Sequence, residues 1–163
     1  MQTRKITHIV CMTKAPPLFD EFEYLTLPIS DSETTDITSV LDLTFNFIDA
    51  AIHGGESAAL VHCQMGQSRG AAIVTAYLMR KNNLSFEDAF AHVKEKRAIV
   101  NCHNFQRQLR ALETELNAIR PSQISGSTGP TEELVTGTAD PAAHSVQALV
   151  HPAVASSEEK AAH

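Results

Sequence analysis

The segment ALVHCQMGQSRGAAIVTAYLM, from Ala59 to Met79, constrains the fold of this chain more than any other segment. It begins with a short apolar run typical of a buried strand, continues through a polar turn that contains Gly66, and ends in an apolar stretch of helical length. A strand and a helix that are both apolar must be covered by other elements on most sides. The segment therefore predicts a layered fold in which helices pack on a sheet.

The rest of the first 120 residues supplies the covering elements. Two other apolar runs rich in β-branched residues, 6–12 and 24–29, are predicted strands. Asp36 and Ser85 are predicted N-caps of the helices that follow them. Apolar residues at helical spacing predict helices over 37–53, 70–81, 86–97 and 103–119. This order predicts an α/β fold, with a central, partly parallel sheet flanked by helices.

The composition changes near Arg120. Residues 121–163 are rich in Ser, Thr, Ala, Gly and Pro and contain no aromatic side chain. They bury too little apolar surface to offset the entropy cost of ordering. We therefore expect one domain over residues 1–120 and a disordered tail over residues 121–163, in which the segment QALV is at most a transient docking motif.

Charge, hydropathy and cysteine usage exclude several classes of protein. Residues 1–120 carry 14 acidic and 12 basic side chains without a basic stripe, which argues against a partner nucleic acid. No apolar run reaches the roughly 18 residues of a membrane span, and the first residues lack the pattern of a signal peptide. The three cysteines lie at no metal-ligand spacing and suit a reducing compartment. We expect a protein of the cytoplasm or the nucleus.

The turn that follows Cys63 has the composition of an anion site. A turn from a strand into a helix directs its backbone N–H groups and the positive end of the helix dipole at one point. Gly66 allows the tight backbone path, and Arg69 is placed to bind a tetrahedral oxyanion with its guanidinium. The same dipoles stabilise a thiolate at Cys63, where in-line attack on phosphorus would begin. The pattern predicts phosphoryl transfer through a cysteinyl-phosphate.

Two polar neighbours have alternative roles. Ser68 is placed to hydrogen-bond the sulfur when it leaves, and it also suits the N-cap of the helix. His62 either adds a donor to the site or only fills space at the end of the strand. The predicted phosphate-binding residues are Gln64, Met65, Gly66, Gln67, Ser68 and Arg69.

The segment HCQMGQSR resembles the signature H-C-x-x-G-x-S-R of the cysteine-dependent protein phosphatases, in the form typical of the small dual-specificity group. The similarity extends from about Ile6 to about Leu116 and includes PISD, AYLM and the pattern R-x7-F-x-x-Q-L that starts at Arg97. It implies the protein-tyrosine-phosphatase-like fold. It also implies that Asp31, 32 residues before Cys63, is the general acid that protonates the leaving oxygen.

The chain departs from the family's pattern at three places. Gly70 replaces a common serine, and Asn101-Cys102 replaces a Pro-Asn pair before the closing helix. The strands that precede ITHIV in the family have no counterpart in this sequence. We therefore expect a domain truncated at its N-terminus, with a sheet edge that is left uncovered or is covered by a partner or by the tail.

Several assignments outside the motif remain open between two interpretations. Asp20, Glu33 and Asp36 compete with Asp31 for the role of general acid, although Asp36 is better explained as a helix cap. Cys11 and Cys102 are expected in the core, with a reversible disulfide to oxidised Cys63 as the alternative. The basic residues Lys94, Lys96 and Arg97 are expected on the exposed side of a helix.

The sequence predicts a phosphatase that hydrolyses phosphotyrosine and phosphoserine or phosphothreonine in protein substrates. It predicts no metal and no cofactor, because the loop and Arg69 supply the charge stabilisation. A phosphoinositide or RNA 5'-triphosphate phosphatase is an alternative, although such substrates favour basic residues where this loop has Gln64, Met65 and Gln67. A phospho-binding module without turnover is a second hypothesis, and a sulfurtransferase or an arsenate reductase is a more remote one. The oligomeric state is left open.

Overall fold

The computed structural model describes residues 5–53, 55, 57–119 and 149–152. It contains four strands, β1 (Lys5–Cys11), β2 (Glu23–Thr26), β3 (Ser57–Cys63) and β4 (Leu149–Pro152). It also contains four α-helices, α1 (Leu41–Ile52), α2 (Arg69–Lys81), α3 (Phe86–Lys96) and α4 (Gln106–Ile119). Short 3-10 turns over Thr38–Val40 and His103–Phe105 precede α1 and α4. The predicted α/β fold is confirmed.

The four strands form one parallel sheet in the order β2-β1-β3-β4. Val10 is paired with Val61, and both are fully buried under the helices with Cys63. Because side chains alternate along a strand, Cys11, which is paired with His62, lies on the face opposite to Cys63. Cys11 and Cys102 are both buried, as predicted, and neither forms a disulfide.

Helix α2 is the centre of the helical layer. Ten consecutive residues, Gly70–Met79, are buried, and the helix contacts β3, α1, α3 and α4. Its all-round apolar sequence is therefore explained by neighbours on every side. Among the helices that the structure describes, none has the length and apolar composition of a transmembrane span.

The predicted cap at Ser85 is present. The helix predicted from residue 37 begins only at Leu41, after a 3-10 turn, so Asp36 is not its N-cap and instead stabilises the chain before that turn. One predicted strand is too long. Asp36 accepts hydrogen bonds from the backbone and side chain of Thr38, and Ser85 accepts one from the backbone N–H of Asp88. The sequence predicts the second strand over 24–29, but β2 ends at Thr26. The chain turns around Pro28, where the N–H of Ile29 bonds to the carbonyl of Leu27, and this turn directs the following residues across the end of β1.

The region expected to be a disordered tail contains one described element. Strand β4 lies along β3 with Leu60 opposite Leu149 and Cys63 opposite Pro152. The edge of β3 offers unpaired backbone groups, and a four-residue segment satisfies them by pairing. Residues 149–152 are thus paired with β3. The rest of the tail lies outside the described residues, and its disorder stays a prediction.

Candidate active site

A cavity of about 280 Å3 lies at the carboxyl end of the parallel sheet, where β3 leads into α2. Parallel strands bring the residues that follow them to one edge, and ligand sites of such sheets commonly lie there. The cavity is lined by six residues predicted for the site: Asp31, Cys63, Met65, Gln67, Ser68 and Arg69. Cys63 is 1% exposed, so access to its sulfur is through this opening.

The loop from Cys63 to Arg69 is supported from behind by hydrogen bonds to its carbonyl groups. Arg97 Nε donates to the carbonyl of Gly66 at 2.9 Å, and the N–H of Asn101 donates to the carbonyl of Gln67 at 3.0 Å. Gly66 has a φ of +63°, a left-handed conformation that favours glycine. No cis peptide is present among the described residues, so the N–H of each of these peptide units points opposite to its carbonyl.

The N–H groups of Gln67 and Ser68 therefore point away from the segment that supports the loop. Within the described residues, no backbone N–H over 65–68 donates to a protein acceptor. Helix α2 begins at Arg69, so its positive dipole end lies at the same place. Unused donors and a helix N-terminus that converge beside a cysteine form a cradle for an oxyanion.

Arg69 is fixed by main-chain carbonyl groups of the two segments that follow β1 and β2. Its Nη1 donates to the carbonyls of Met12 at 3.1 Å and Ile29 at 3.0 Å. Its Nε is buried without a hydrogen-bond partner in the part of the chain that the structure describes. A buried guanidinium donor without a partner costs free energy. A bound anion would satisfy it, and this favours an oxyanion as the ligand.

Asp31 is joined to the loop through Ser68. The Ser68 hydroxyl donates to Asp31 Oδ1 at 2.7 Å, and Arg69 Nε lies 3.9 Å from Asp31 Oδ2. The side chain of Ser68 makes no capping hydrogen bond, although Ser68 is the residue that precedes α2. The structure thus brings the predicted nucleophile, cation and acid to one cavity, with Ser68 bonded to the acid rather than to the helix terminus.

The competing acidic residues lie elsewhere. Asp20, Glu33 and Asp36 do not line the cavity. The hydrogen bonds from the Thr38 hydroxyl and backbone lower the pKa of Asp36 below its ordinary value, so Asp36 stays ionised near neutral pH and has no proton to donate. Of these four carboxyl groups, Asp31 is the one that lines the cavity, as the role of a general acid would require.

His62 is not part of the cavity lining. It points to the opposite face of β3 from Cys63, because neighbouring residues of a strand alternate. Its Nδ1 is buried without a partner among the described residues, and burial lowers the pKa of His62. Gln64 is exposed and, like Gly66, contributes no side chain to the cavity.

No group of three or more His, Cys, Asp or Glu side chains converges as metal ligands within the described ranges. A larger cavity of about 360 Å3 lies between α1, α2 and α4. It is lined mainly by apolar side chains and contains neither a cysteine nor a histidine. Of these two cavities, only the one at the end of β3 therefore offers a cysteine as a nucleophile.

The family model described as "Dual specificity phosphatase, catalytic domain" matches residues 1–115. The chain belongs to this family. Dual specificity protein phosphatase 1B of Arabidopsis thaliana is 40% identical over 99 residues, which are 60% of this chain and 59% of the relative. Dual specificity protein phosphatase 1-A of Xenopus laevis is 37% identical over 68% of this chain and 29% of its own length. The chain thus spans about three fifths or less of these relatives.

Solved structures of two human proteins share the fold. Human DUSP28 superimposes with a TM-score of 0.65 at 33% identity, over 69% of this chain and 80% of that chain. The human tyrosine phosphatase-like serine/threonine/tyrosine-interacting protein does so with a TM-score of 0.63 at 36% identity, over 68% and 78%. The likeness supports the protein-tyrosine-phosphatase-like architecture predicted from the motif.

Two residues of this dual-specificity phosphatase domain have contacts that their sequence positions do not predict. Arg97 is predicted on an exposed helix face, but it is half-buried and bonded to Gly66; Lys94 and Lys96 are exposed as expected. Asn104 lines the cavity and bonds to Asp31. The Arg97 contact could have been suspected from the family pattern. The Asn104 contact has no local sequence signal, because 73 residues separate the partners.

Proposed function

We propose that this protein hydrolyses phosphotyrosine and phosphoserine or phosphothreonine in protein substrates through a cysteinyl-phosphate intermediate. The observation that carries the proposal is the convergence of Cys63, Arg69 and Asp31 on one cavity. The buried Arg69 Nε and the unpaired N–H groups of the loop match the oxygens of a phosphoryl group. Preorganised donors of this kind supply the largest electrostatic contribution to phosphoryl transfer.

The reaction proceeds in two balanced steps. The Cys63 thiolate attacks phosphorus, the S–P bond forms, and the bond from phosphorus to the leaving oxygen breaks as Asp31 gives that oxygen its proton. Water then attacks phosphorus while Asp31 takes a proton from it, and the S–P bond breaks. The products are the free hydroxyl of the substrate, inorganic phosphate and the starting enzyme.

The lining of the cavity favours a single phosphoryl group. Apart from Arg69, no lysine or arginine lines the cavity in the part of the chain that the structure describes. A phosphoinositide or a 5'-triphosphate carries further phosphates that would need more cations near the opening. Phosphomonoesters of protein side chains are therefore the proposed substrate class, acted on in the cytoplasm or the nucleus.

The decisive experiment measures phosphate release from an aryl phosphate and from phosphopeptides. Cys63→Ser should lower turnover by about 10⁴-fold or more, because the nucleophile is lost. The matched control is Cys11→Ser, which changes a buried cysteine on the other face of the sheet and should retain turnover. Release that survives in Cys63→Ser, or that requires a divalent metal, contradicts the mechanism. Tight phosphopeptide binding without phosphate release would support a binding module instead.

A further inference from the structure

Asn104 contacts the general acid through two hydrogen bonds. It lies in the turn before α4, and its Nδ2 donates to Asp31 Oδ1 at 2.9 Å and to the Asp31 carbonyl at 3.1 Å. Both partners are acceptors, so the amide nitrogen rather than the amide oxygen must face them. We propose that Asn104 is a positioning residue that fixes the Asp31 carboxyl group for proton transfer. This inference rests on the proposed phosphatase function.

The backbone that carries Asn104 is firmly held. The next residue, Phe105, is fully buried, and so is Leu109 in the first turns of α4. The N–H of Phe105 bonds to the carbonyl of Cys102 at 2.9 Å. Cys102 adopts a left-handed φ of +39° and is buried, which turns the chain sharply into α4. The amide of Asn104 is therefore presented from a rigid support, as positioning requires.

The same helical unit also binds the far end of the segment that carries the acid. Gln108 Nε2 donates to the carbonyl of Thr35 at 2.8 Å, and Gln108 Oε1 accepts from the N–H of Ile37 at 2.9 Å. The segment from Asp31 to Ile37 is thus attached to the α4 unit at both ends. Asn104 provides the attachment at the end where the carboxyl group lies.

The hydrogen bonds from Asn104 and Ser68 give the two carboxyl oxygens of Asp31 different roles. Asn104 and Ser68 both donate to Oδ1, so Oδ1 is occupied as an acceptor. The transferable proton must then be on Oδ2, which lies 3.9 Å from Arg69 Nε. A phosphoryl group bound by Arg69 would have its leaving oxygen near this proton. As that proton departs, the carboxylate that forms is stabilised by the two donors already present at Oδ1.

Asn104 is needed because Ser68 alone leaves the carboxyl group weakly restrained. The Asp31 side chain is 35% exposed. With the hydrogen bond from Ser68 alone, the carboxyl group could still rotate about that hydrogen bond. The bond from Asn104 to the Asp31 carbonyl also fixes the backbone of the acid. The effect of removing Asn104 should therefore fall on the step that needs the proton and not on phosphate binding.

The test compares Asn104→Ala with Asn46→Ala, which removes an exposed asparagine of α1. Aryl phosphates with poor leaving groups need the acid, and those with good leaving groups need it little. Asn104→Ala should lower kcat/KM about tenfold for poor leaving groups and less than about twofold for good ones. In an Asp31→Asn background it should have no further effect, because the two residues act as one unit. Asn46→Ala should match the unmodified protein.

A second variant keeps the test valid if Asn104→Ala does not fold, which thermal unfolding reveals. Asn104→Asp preserves the shape but turns an acceptor toward Asp31 Oδ1, so it should show the same dependence on the leaving group. An equal loss for all leaving groups, or losses that multiply with Asp31→Asn, overturns the role of Asn104. If the unmodified protein is active and Asn104→Ala has the same kcat/KM values as Asn46→Ala for all leaving groups, only this inference fails. If the unmodified protein releases no phosphate, the proposed function fails as well.

Discussion

Arg97 Nε lies 2.9 Å from the carbonyl oxygen of Gly66, on the side of the loop that faces away from its unpaired N–H groups. The peptide between Gly66 and Gln67 is planar and trans, so holding its oxygen also sets the direction of the Gln67 N–H. We therefore expect Arg97 to affect anion binding through the loop rather than by direct contact. The N–H of Asn101 acts in the same way on the next peptide.

Removal of the Arg97 guanidinium group should weaken the binding of an oxyanion to the loop. We expect Arg97→Ala to raise the dissociation constant for tungstate or vanadate about tenfold, since a hydrogen bond from a charged group contributes about 1.5–3 kcal/mol. Isothermal titration calorimetry measures this. The control is Lys96→Ala, one position earlier, which removes an exposed cation that pairs with Glu95. Equal affinities for the two folded variants would contradict the role assigned to Arg97.

The planar guanidinium group of Arg69 should not be replaceable by the ammonium group of a lysine. Its Nη1 is bonded to the carbonyls of Met12 and Ile29, and its remaining nitrogens are left for the phosphoryl group. A lysine cannot make both sets of contacts. Arg69→Lys should lower kcat/KM by about 10²–10³-fold, as measured with an aryl phosphate. Arg80→Lys, on the exposed side of the same helix, should retain full activity; similar losses in both variants would argue against a specific role of the Arg69 guanidinium group.

The parts of the site that could be predicted from the sequence are those with local causes. The strand, turn and helix around Cys63 follow from apolar periodicity, a glycine with positive φ and a helix that is buried on all sides. The cap at Ser85 follows from residue type and spacing. The position of Asp31 depended on family resemblance, because no local pattern distinguishes it from Glu33.

The remaining features depend on contacts between distant segments. Asn104 bonds to Asp31 across 73 residues, and Arg97 bonds to Gly66 across 31. Such pairs depend on how α3 and α4 pack against the rest of the domain. The spacing of residue types along the sequence does not reveal this packing. The strand β4 is absent from the sequence-based prediction for a related reason. Its composition is that of a weakly ordered segment, and it is stabilised by the edge of β3 rather than by its own sequence.

His62 should make the stability of the fold depend on pH. Burial lowers the pKa of His62 below its ordinary value of 6.5, so the folded state favours the neutral ring. Above pH 6.5, His62 is neutral in both states and its contribution to the free energy of unfolding is fully present. As pH falls below 6.5, His62 is protonated in the unfolded chain before it is protonated in the folded chain, and this contribution is lost. Thermal unfolding measured from about pH 7.5 to about pH 5 should show a smaller fall in Tm for His62→Gln than for the unmodified protein. Asn46→Gln, which changes an exposed residue that does not ionise, should leave the slope unchanged. Equal slopes in all three proteins would contradict this assignment.

Strand β4 should protect the sheet from self-association. It pairs in parallel with β3 over Leu60–Cys63, immediately beside the nucleophile. A chain that ends at residue 119 would expose this edge of β3, and exposed edges pair with other chains. We expect this chain to have a Tm lower by several degrees and to form dimers or larger species in light scattering. A chain that ends at residue 152 retains β4 and should remain like the full-length protein. If both truncated chains have the same Tm and the same mass in solution, pairing of β4 with β3 does not contribute to stability, and the prediction is wrong.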